Sequence, residues 1–188
     1  LELCAEADLI LHAGDFAELS VLEELRAIRP VIGVHGNVDS AELRRLLPES
    51  LAFEAGGAQV AMLHDAGPRR GRLERMRARF PDADAVVFGH SHLPLHERSG
   101  GFQIFNPGSP TERRRAPAHT MGMAIATDGA VSFSFVARLC HQALQCRGGG
   151  LLALTGCGGS AGPDGGGEEE RSEIPGGADP EEARVIEE

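Results

Sequence analysis

One pattern recurs four times in the first half of the sequence: a short apolar run followed, directly or after one glycine, by Asp, Asn or His. Apolar runs of this length are typical of buried strands. In open α/β sheets, polar groups just beyond the carboxyl ends of strands meet at one edge, where ligands bind. The pattern therefore predicts an α/β fold with a polar site at its strand ends. The runs are 8–13 before Gly14-Asp15, 30–35 before Gly36-Asn37-Val38-Asp39, 59–63 before His64-Asp65, and 85–88 before Gly89-His90-Ser91-His92.

The last of these turns carries two histidines one residue apart, His90 and His92. An extended backbone would point them to opposite faces, but a turn lets both rings converge. Imidazole is the commonest metal ligand among side chains near neutral pH. A histidine pair in a loop often binds nothing, so the other three strand ends decide the interpretation. Oxygen and nitrogen donors without a thiolate favour Mn, Fe, Zn or Mg.

In chain order, the motifs GD, GNxD, H and GHSH resemble those of the calcineurin-like metallophosphoesterase superfamily. Residues 34–39 and 105–110 resemble its small YfcE-type phosphodiesterases, and the likeness covers residues 1–137. The resemblance implies a four-layer αββα sandwich of two mixed β-sheets flanked by helices. It also implies a metal-dependent hydrolase that cleaves phosphodiester bonds by a two-metal mechanism.

The resemblance assigns metal-binding and catalytic roles to Asp15, Asn37, His64, His90 and His92. Asp15 would bridge two divalent ions, Asn37, His64 and His90 would hold the second, and His92 the first. Mn²⁺ is the expected metal, with Fe, Zn, Ni or Mg as alternatives. Plainer roles remain open: Asp15 as a helix N-cap, Asn37 as a turn residue, and His64 as a core histidine.

Other polar residues receive supporting roles or none. Asp39 is expected to orient the Asn37 loop or a ligand imidazole. Surface or supporting roles are expected for the histidines without an assignment, His12, His35, His96, His119 and His141.

Two departures from the superfamily pattern matter. Many members carry a proton-donating His where this chain has Val38, and this favours phosphodiesters or activated leaving groups. The superfamily also begins with a strand ending in Asp-x-His, and no Asp-x-His occurs in these 188 residues. We therefore expect an N-terminally truncated domain whose first metal keeps only Asp15 and His92. A missing interior strand would leave unpaired strand edges, which promote aggregation.

The charge of −10 is uneven, with net −3 in residues 1–138 and net −7 in residues 139–188. All 18 basic residues are Arg, and the clusters 69–70 and 113–115 are expected to be solvated loop charges. No extended nucleic-acid surface or membrane span is evident. Four cysteines without a CxxC pair favour a reducing, cytoplasmic location.

Residues 1–137 are predicted to form the domain, and the Gly-rich, acidic residues 138–188 a disordered tail. Within the domain, apolar spacing predicts helices at 20–28, from Ser40 to Leu47, and at 71–80. Strands are expected at 8–13, 31–35, 85–88 and 102–105, with hairpins joining 51–55 to 59–64 and 121–126 to 130–136.

Two functions from different classes remain open. The first is a phosphodiesterase acting on a small phosphodiester. The second is a catalytically inactive protein-interaction module on the same fold, as in the retromer subunit that resembles these enzymes, or an inactive fragment. The ligand set favours the enzyme.

Overall fold

Two mixed β-sheets form the centre of the fold, which a computed structural model describes for residues 2–137, 150–155 and 184–185. The helices are α1 Glu2–Ala5, α2 Leu19–Ile28, α3 Leu43–Leu46 and α4 Arg72–Arg79. The strands are β1 Leu9–His12, β2 Val31–Gly33, β3 Ser50–Ala55, β4 Ala58–Leu63, β5 Ala85–Phe88, β6 Leu95–Ser99, β7 Phe102–Asn106, β8 Thr120–Thr127, β9 Ala130–Ala137, β10 Gly150–Thr155 and β11 Arg184–Val185.

The two sheets pack face to face and carry helices on their outer faces. One sheet has the strand order β2-β1-β10-β8-β9, and the other β11-β3-β4-β5-β7-β6. Leu11, Met62 and Phe105 belong to the apolar cluster between the sheets. A second cluster joins the five-stranded sheet to α2 and α3, and a third joins the six-stranded sheet to α4. The predicted αββα sandwich is confirmed.

Crossover helices explain why the polar strand ends share one edge. Helix α2 lies between the parallel strands β1 and β2, and α4 lies between the parallel strands β4 and β5. A parallel pair needs such a crossover. Leu22 and Leu25 of α2 and Leu73 and Met76 of α4 are buried, as the apolar spacing predicts. The carboxyl ends of all four strands therefore receive the turns that carry the candidate site.

The predicted hairpins form between β3 and β4 and between β8 and β9. Asp128 and Gly129, which join β8 to β9, both adopt positive φ, as a tight hairpin turn requires. Strand β6 was not predicted, because its sequence LHERS is polar and only partly buried. It pairs with β7 at the edge of the six-stranded sheet.

Strand β10 corrects the prediction that residues 138–188 are disordered throughout. It lies inside the five-stranded sheet, parallel to β1 and antiparallel to β8. Leu152 and Leu154 are buried between the sheets, and Ala153 is buried on the opposite face. Because β10 pairs with β1, the expected unpaired edge there is absent from the described structure. The remaining tail prediction falls mostly outside the described residues, and the domain boundary at residue 137 stays a prediction.

Membrane insertion through a helix finds no support in the described part of the chain. None of its helices has the length and apolar character needed to cross a bilayer.

Candidate metal centre

The turns after β1, β2, β4 and β5 bring four candidate ligands into contact. Asp15 and Asn37 follow strands of the five-stranded sheet, whereas His64 and His90 follow strands of the six-stranded sheet. His64 Nε2 lies 3.3 Å from Asp15 Oδ2 and 3.0 Å from Asn37 Oδ1. His90 Nδ1 lies 2.9 Å from Asn37 Oδ1 and 3.3 Å from His64 Nε2. The four side chains thus converge between the two sheets.

The spacing of these donor atoms matches the ligand shell of a small cation. Two ligands bound at right angles, each 2.0–2.2 Å from one ion, lie about 3 Å from each other. The observed separations are 2.9–3.3 Å. If Asn is left aside, the described residues hold no group of three or more His, Cys, Asp or Glu arranged for a metal. Asn37 Oδ1, which contacts both imidazoles, is therefore central to this donor set.

The hydrogen bond on the far side of His64 fixes the state of its ring. His64 Nδ1 lies 2.7 Å from the carbonyl oxygen of Ala13, so Nδ1 carries the proton and donates it. In the neutral ring, Nε2 then presents a lone pair to the oxygens of Asp15 and Asn37. Burial lowers the pKa of His64, but hydrogen bonds to Asp15 and Ala13 and the charges of Asp15 and Asp39 raise it overall. The converging lone pairs favour a positive charge at this point.

His92 presents a second buried lone pair. Its Nδ1–H donates to the Glu112 carbonyl oxygen at 2.7 Å, and its Nε2 is buried with no hydrogen-bond partner among the described residues. Burial is the largest cause that lowers the pKa of His92, which favours the neutral ring. A buried acceptor without a partner is costly, and a bound cation would satisfy it. Both observations fit a metal centre.

Asp39 holds the two ligand-bearing turns of the five-stranded sheet together. Its Oδ2 accepts hydrogen bonds from the backbone N–H of Asp15 at 3.1 Å and of Gly36 at 2.7 Å. Its Oδ1 accepts one from Ala17 N–H at 2.7 Å. Of the two roles expected for Asp39, these bonds support the first, holding the loop that carries Asn37. Gly36 is also required, because a Cβ there would lie 2.1 Å from Asp15 Oδ1.

Asn106 holds the histidine turn, and sequence reasoning did not assign it a role. This fully buried side chain donates from Nδ2 to Gly89 O at 2.6 Å and to Ser91 Oγ at 3.2 Å. Its Oδ1 accepts from Gly108 N–H at 2.9 Å. The available signal was its place at the start of the turn Asn106-Pro107-Gly108-Ser109, directly after an apolar strand.

The unassigned histidines differ in their surroundings. His12 is buried and stacks on Phe16 with 3.6 Å between ring centroids. His96 Nε2 lies 2.9 Å from Gln103 Oε1, away from the strand-end turns. His35 and His119 are partly exposed. His141 lies outside the described residues.

Comparisons with known proteins identify the family of this chain. The family model of the calcineurin-like phosphoesterase superfamily domain matches residues 1–129. The protein named "Probable metallophosphoesterase" of Methanothermobacter thermautotrophicus is 33% identical over 122 residues, which cover 64% of this chain and 70% of that protein.

Two solved structures show the same fold. Entamoeba histolytica Vps29 complexed with Zn²⁺ has a TM-score of 0.55 and 22% identity, over 72% of this chain and 86% of its own. A novel archaeal phosphodiesterase has a TM-score of 0.54 and 19% identity, over 70% of this chain and 84% of its own. With the family model covering well over half of its length and the strand-end residues in contact, this chain belongs to the calcineurin-like phosphoesterase superfamily.

Proposed function

We propose that this chain is a metal-dependent phosphodiesterase that works with two divalent cations. Asn37, His64 and His90 would hold one cation, His92 the other, and Asp15 both. The observation that carries the proposal is the convergence of Asp15, Asn37 and His64 lone pairs at 3.0–3.3 Å. Mn²⁺ remains the expected ion, and Zn²⁺ gains support from the Vps29 neighbour.

The cations, when bound, would neutralise the phosphoryl charge and make water a nucleophile near neutral pH. The protein residues hold and orient these groups. Ala13 O and Glu112 O fix the rings of His64 and His92 through their Nδ1–H groups, so that both Nε2 atoms remain available as ligands. Asp15 and His92 are the two residues assigned to the first cation. We therefore expect the position of Asn37, His64 and His90 to fill at lower metal concentration.

Val38 limits the class of ester. Its side chain is 55% exposed beside Asn37, and its backbone N–H donates to Asp15 Oδ1 at 3.1 Å. An isopropyl group cannot give a proton to a departing alkoxide. Diesters with a good leaving group, which departs without protonation, are therefore the preferred substrates.

The test is hydrolysis of bis(p-nitrophenyl) phosphate by the purified chain with Mn²⁺, with and without chelator. We expect chelator to abolish turnover, and Asp15→Asn and His90→Ala to reduce kcat by about a hundredfold or more. The matched control is His35→Gln, a histidine outside the converging set. Turnover that survives full removal of metal would contradict the proposal.

The second candidate is an inactive interaction module. An inactive module would explain why only Asp15 and His92 are assigned as ligands of the first cation. Against it, Asp15, His90 and His92 keep left-handed backbone, with φ of 64°, 61° and 57°. Such strain is typical of functional sites. Metal binding without turnover of any phosphodiester, under conditions where the folded state is verified, would favour the module.

The cytoplasmic location rests on cysteine use alone. Cys4 is a buried, free thiol in the cluster beneath α2. Fractionation of cells that express the chain, followed by thiol labelling after denaturation, would test this inference.

A further inference from the structure

An open pocket adjoins the candidate metal centre on the side of the histidine turn. It has a volume of about 310 Å³ and is lined by Ser91, Leu93, Arg114 and Arg115. Ser91 lies between His90 and His92 in the sequence, so one wall of the pocket belongs to the turn that carries these two candidate ligands. Residues 113–115 carry three consecutive positive charges, although residues 1–138 as a whole are net negative.

The loop that carries these arginines is fixed to the metal centre. Glu112 accepts the Nδ1–H of His92 through its carbonyl oxygen, and its own N–H donates to Ser109 Oγ at 3.0 Å. Arg113 Nη1 donates to Pro117 O at 3.2 Å, which closes the loop from the other side. Arg114 adopts φ of +47° within this turn. Hydrogen bonds therefore hold the loop that carries the arginines in a defined conformation.

Arg114 is held beside the site, and much of its guanidinium faces solvent. Its Nη1 donates to His90 O at 3.0 Å, and its Nε lies 3.7 Å from Glu112 Oε2. The side chains of Arg114 and Glu112 are 43% and 66% exposed, so this ion pair is weak. Arg115 is exposed and makes no ion pair or hydrogen bond within the described structure. Two guanidinium groups can thus receive an anion from solvent.

Apolar side chains stand next to the candidate ligands on the same turns. Val38, directly after Asn37, is 55% exposed, and Leu93, directly after His92, is 41% exposed. Leu93 also lines the pocket with the arginines. A molecule that reaches from the metal centre to Arg115 would therefore pass the exposed side chain of Leu93.

Resting on the proposed function, we propose that this pocket is an anion subsite of the phosphodiesterase. The substrate is a phosphodiester that carries a second anionic group, a phosphate or a carboxylate, on an apolar spacer. Arg114 and Arg115 bind that group through their guanidinium forks, which match the geometry of both anions. Leu93 packs against the spacer.

The experiment compares three p-nitrophenyl aryl phosphodiesters whose second aryl group bears a carboxylate, a phosphonate or a neutral carboxamide. With Mn²⁺, the anionic substrates should have the higher kcat/KM, mainly through KM. Arg115→Gln should reduce the ratio of anionic to neutral kcat/KM by about tenfold, the scale expected for one charged hydrogen bond. Arg98→Gln removes an exposed positive charge that neither lines the pocket nor holds its loop, and it should keep the ratio. The carboxylate and phosphonate arms tell the two anions apart.

Equal effects of Arg98→Gln and Arg115→Gln would show general charge attraction and overturn the subsite. Failure of the proposed function looks different, because none of the three diesters would then be hydrolysed. In that case calorimetric titration with phenylene bisphosphonate and with phenylphosphonate tests the pocket alone. Binding of the bisphosphonate that is no tighter than that of the monophosphonate, or that is unaffected by Arg115→Gln, would overturn the inference.

Discussion

At the scale of single residues, the candidate site contains strained backbone, and buried hydrogen bonds offset the cost of that strain. Left-handed backbone costs about 1–3 kcal/mol at each residue that has a Cβ. Asp15, His90 and His92 all adopt it. The bonds of Asp39 to the Asp15 turn and of Asn106 to the histidine turn hold this geometry in place. Asp39 and Asn106 can therefore be required for the geometry of the site without contacting a substrate.

His12 should make stability depend on pH. Burial lowers its pKa from 6.5 to about 3 in the folded state; the charge of Asp15 raises the pKa in part, and His64 lowers it further. Below pH 6.5 the unfolded chain binds a proton that the folded chain does not, so stability falls as pH falls from 6.5 towards 3. The slope is at most about 1.4 kcal/mol per pH unit. We expect His12→Leu to reduce this slope, measured by urea unfolding at several pH values.

His35→Gln is the matched control, because it also removes a histidine, but one that is partly exposed. Its slope should stay closer to that of the unmodified chain than the slope of His12→Leu does. The absolute stability of His12→Leu can change in either direction without affecting the test, because the slope is the measured quantity. A slope unchanged by His12→Leu would contradict the assignment.

The sequence revealed the strand-end residues because each directly follows an apolar run. The same local pattern marks Asn106 as a strand-end residue, but it could not reveal that Asn106, Glu112 and Arg114 are neighbours of the histidines. Their contacts with residues 89–92 depend on how the loop after β7 folds back across the sheet. Nor could it show that His12 is enclosed, since its burial depends on Phe16 stacking on the ring.

At the scale of elements, β10 decides whether the five-stranded sheet is continuous. It contacts β1 on one side and β8 on the other, and its Thr155 O accepts a hydrogen bond from Ala13 N–H at 3.0 Å. That bond lies two residues before Asp15. The strand therefore supports the metal centre as well as the core.

Removing β10 should destabilise the domain strongly. Truncation after residue 137 deletes the buried Leu152 and Leu154 and leaves β1 and β8 without a partner on that side. The single change Leu152→Ala should cost about 2–5 kcal/mol, the usual range for a buried leucine. Guanidinium unfolding measured by circular dichroism gives both values.

Truncation after residue 157 is the control, since it keeps β10 and removes β11, whose two residues pair at the outer edge of the other sheet. We expect a far smaller loss. A synthetic peptide with the sequence of residues 148–157 should restore part of the stability of the shorter truncation. If the chain ending at residue 137 is as stable as the full chain, β10 does not hold the sheet together.

Composition explains why this strand was missed while others were found. Residues 139–188 contain 12 glycines and a run of glutamates, and this average conceals the short apolar run 151–154. The helical spacing of apolar residues in 20–28 and 71–80 extends over more residues than the run 151–154, and a helix forms in each of these two segments. Short buried strands have no such periodicity to mark them.

At the scale of the whole molecule, the candidate centre joins the two sheets. Asp15 and Asn37 extend from one sheet and His64 and His90 from the other, so ions held by these residues connect the halves of the sandwich. The family resemblance predicts the sandwich as well as the ligands. The closeness of the two sets depends on sheet packing, which no local pattern encodes.

Metal binding should therefore stabilise the entire fold. A ligand that binds only the folded chain adds about 2.7 kcal/mol at a concentration one hundred times its Kd. For a domain of this size we expect Mn²⁺ or Zn²⁺ to raise Tm by several degrees. Asp15→Asn and His64→Gln should each remove most of this shift, because Asp15 and His64 belong to opposite sheets. His35→Gln should keep it. If Tm of the unmodified chain is independent of metal while its ligands remain intact, the four side chains do not form a cation site that links the sheets. In that event, a second proton on His64 Nε2 would maintain their convergence, and its hydrogen bonds to Asp15 and Asn37 would persist unchanged in the presence of metal.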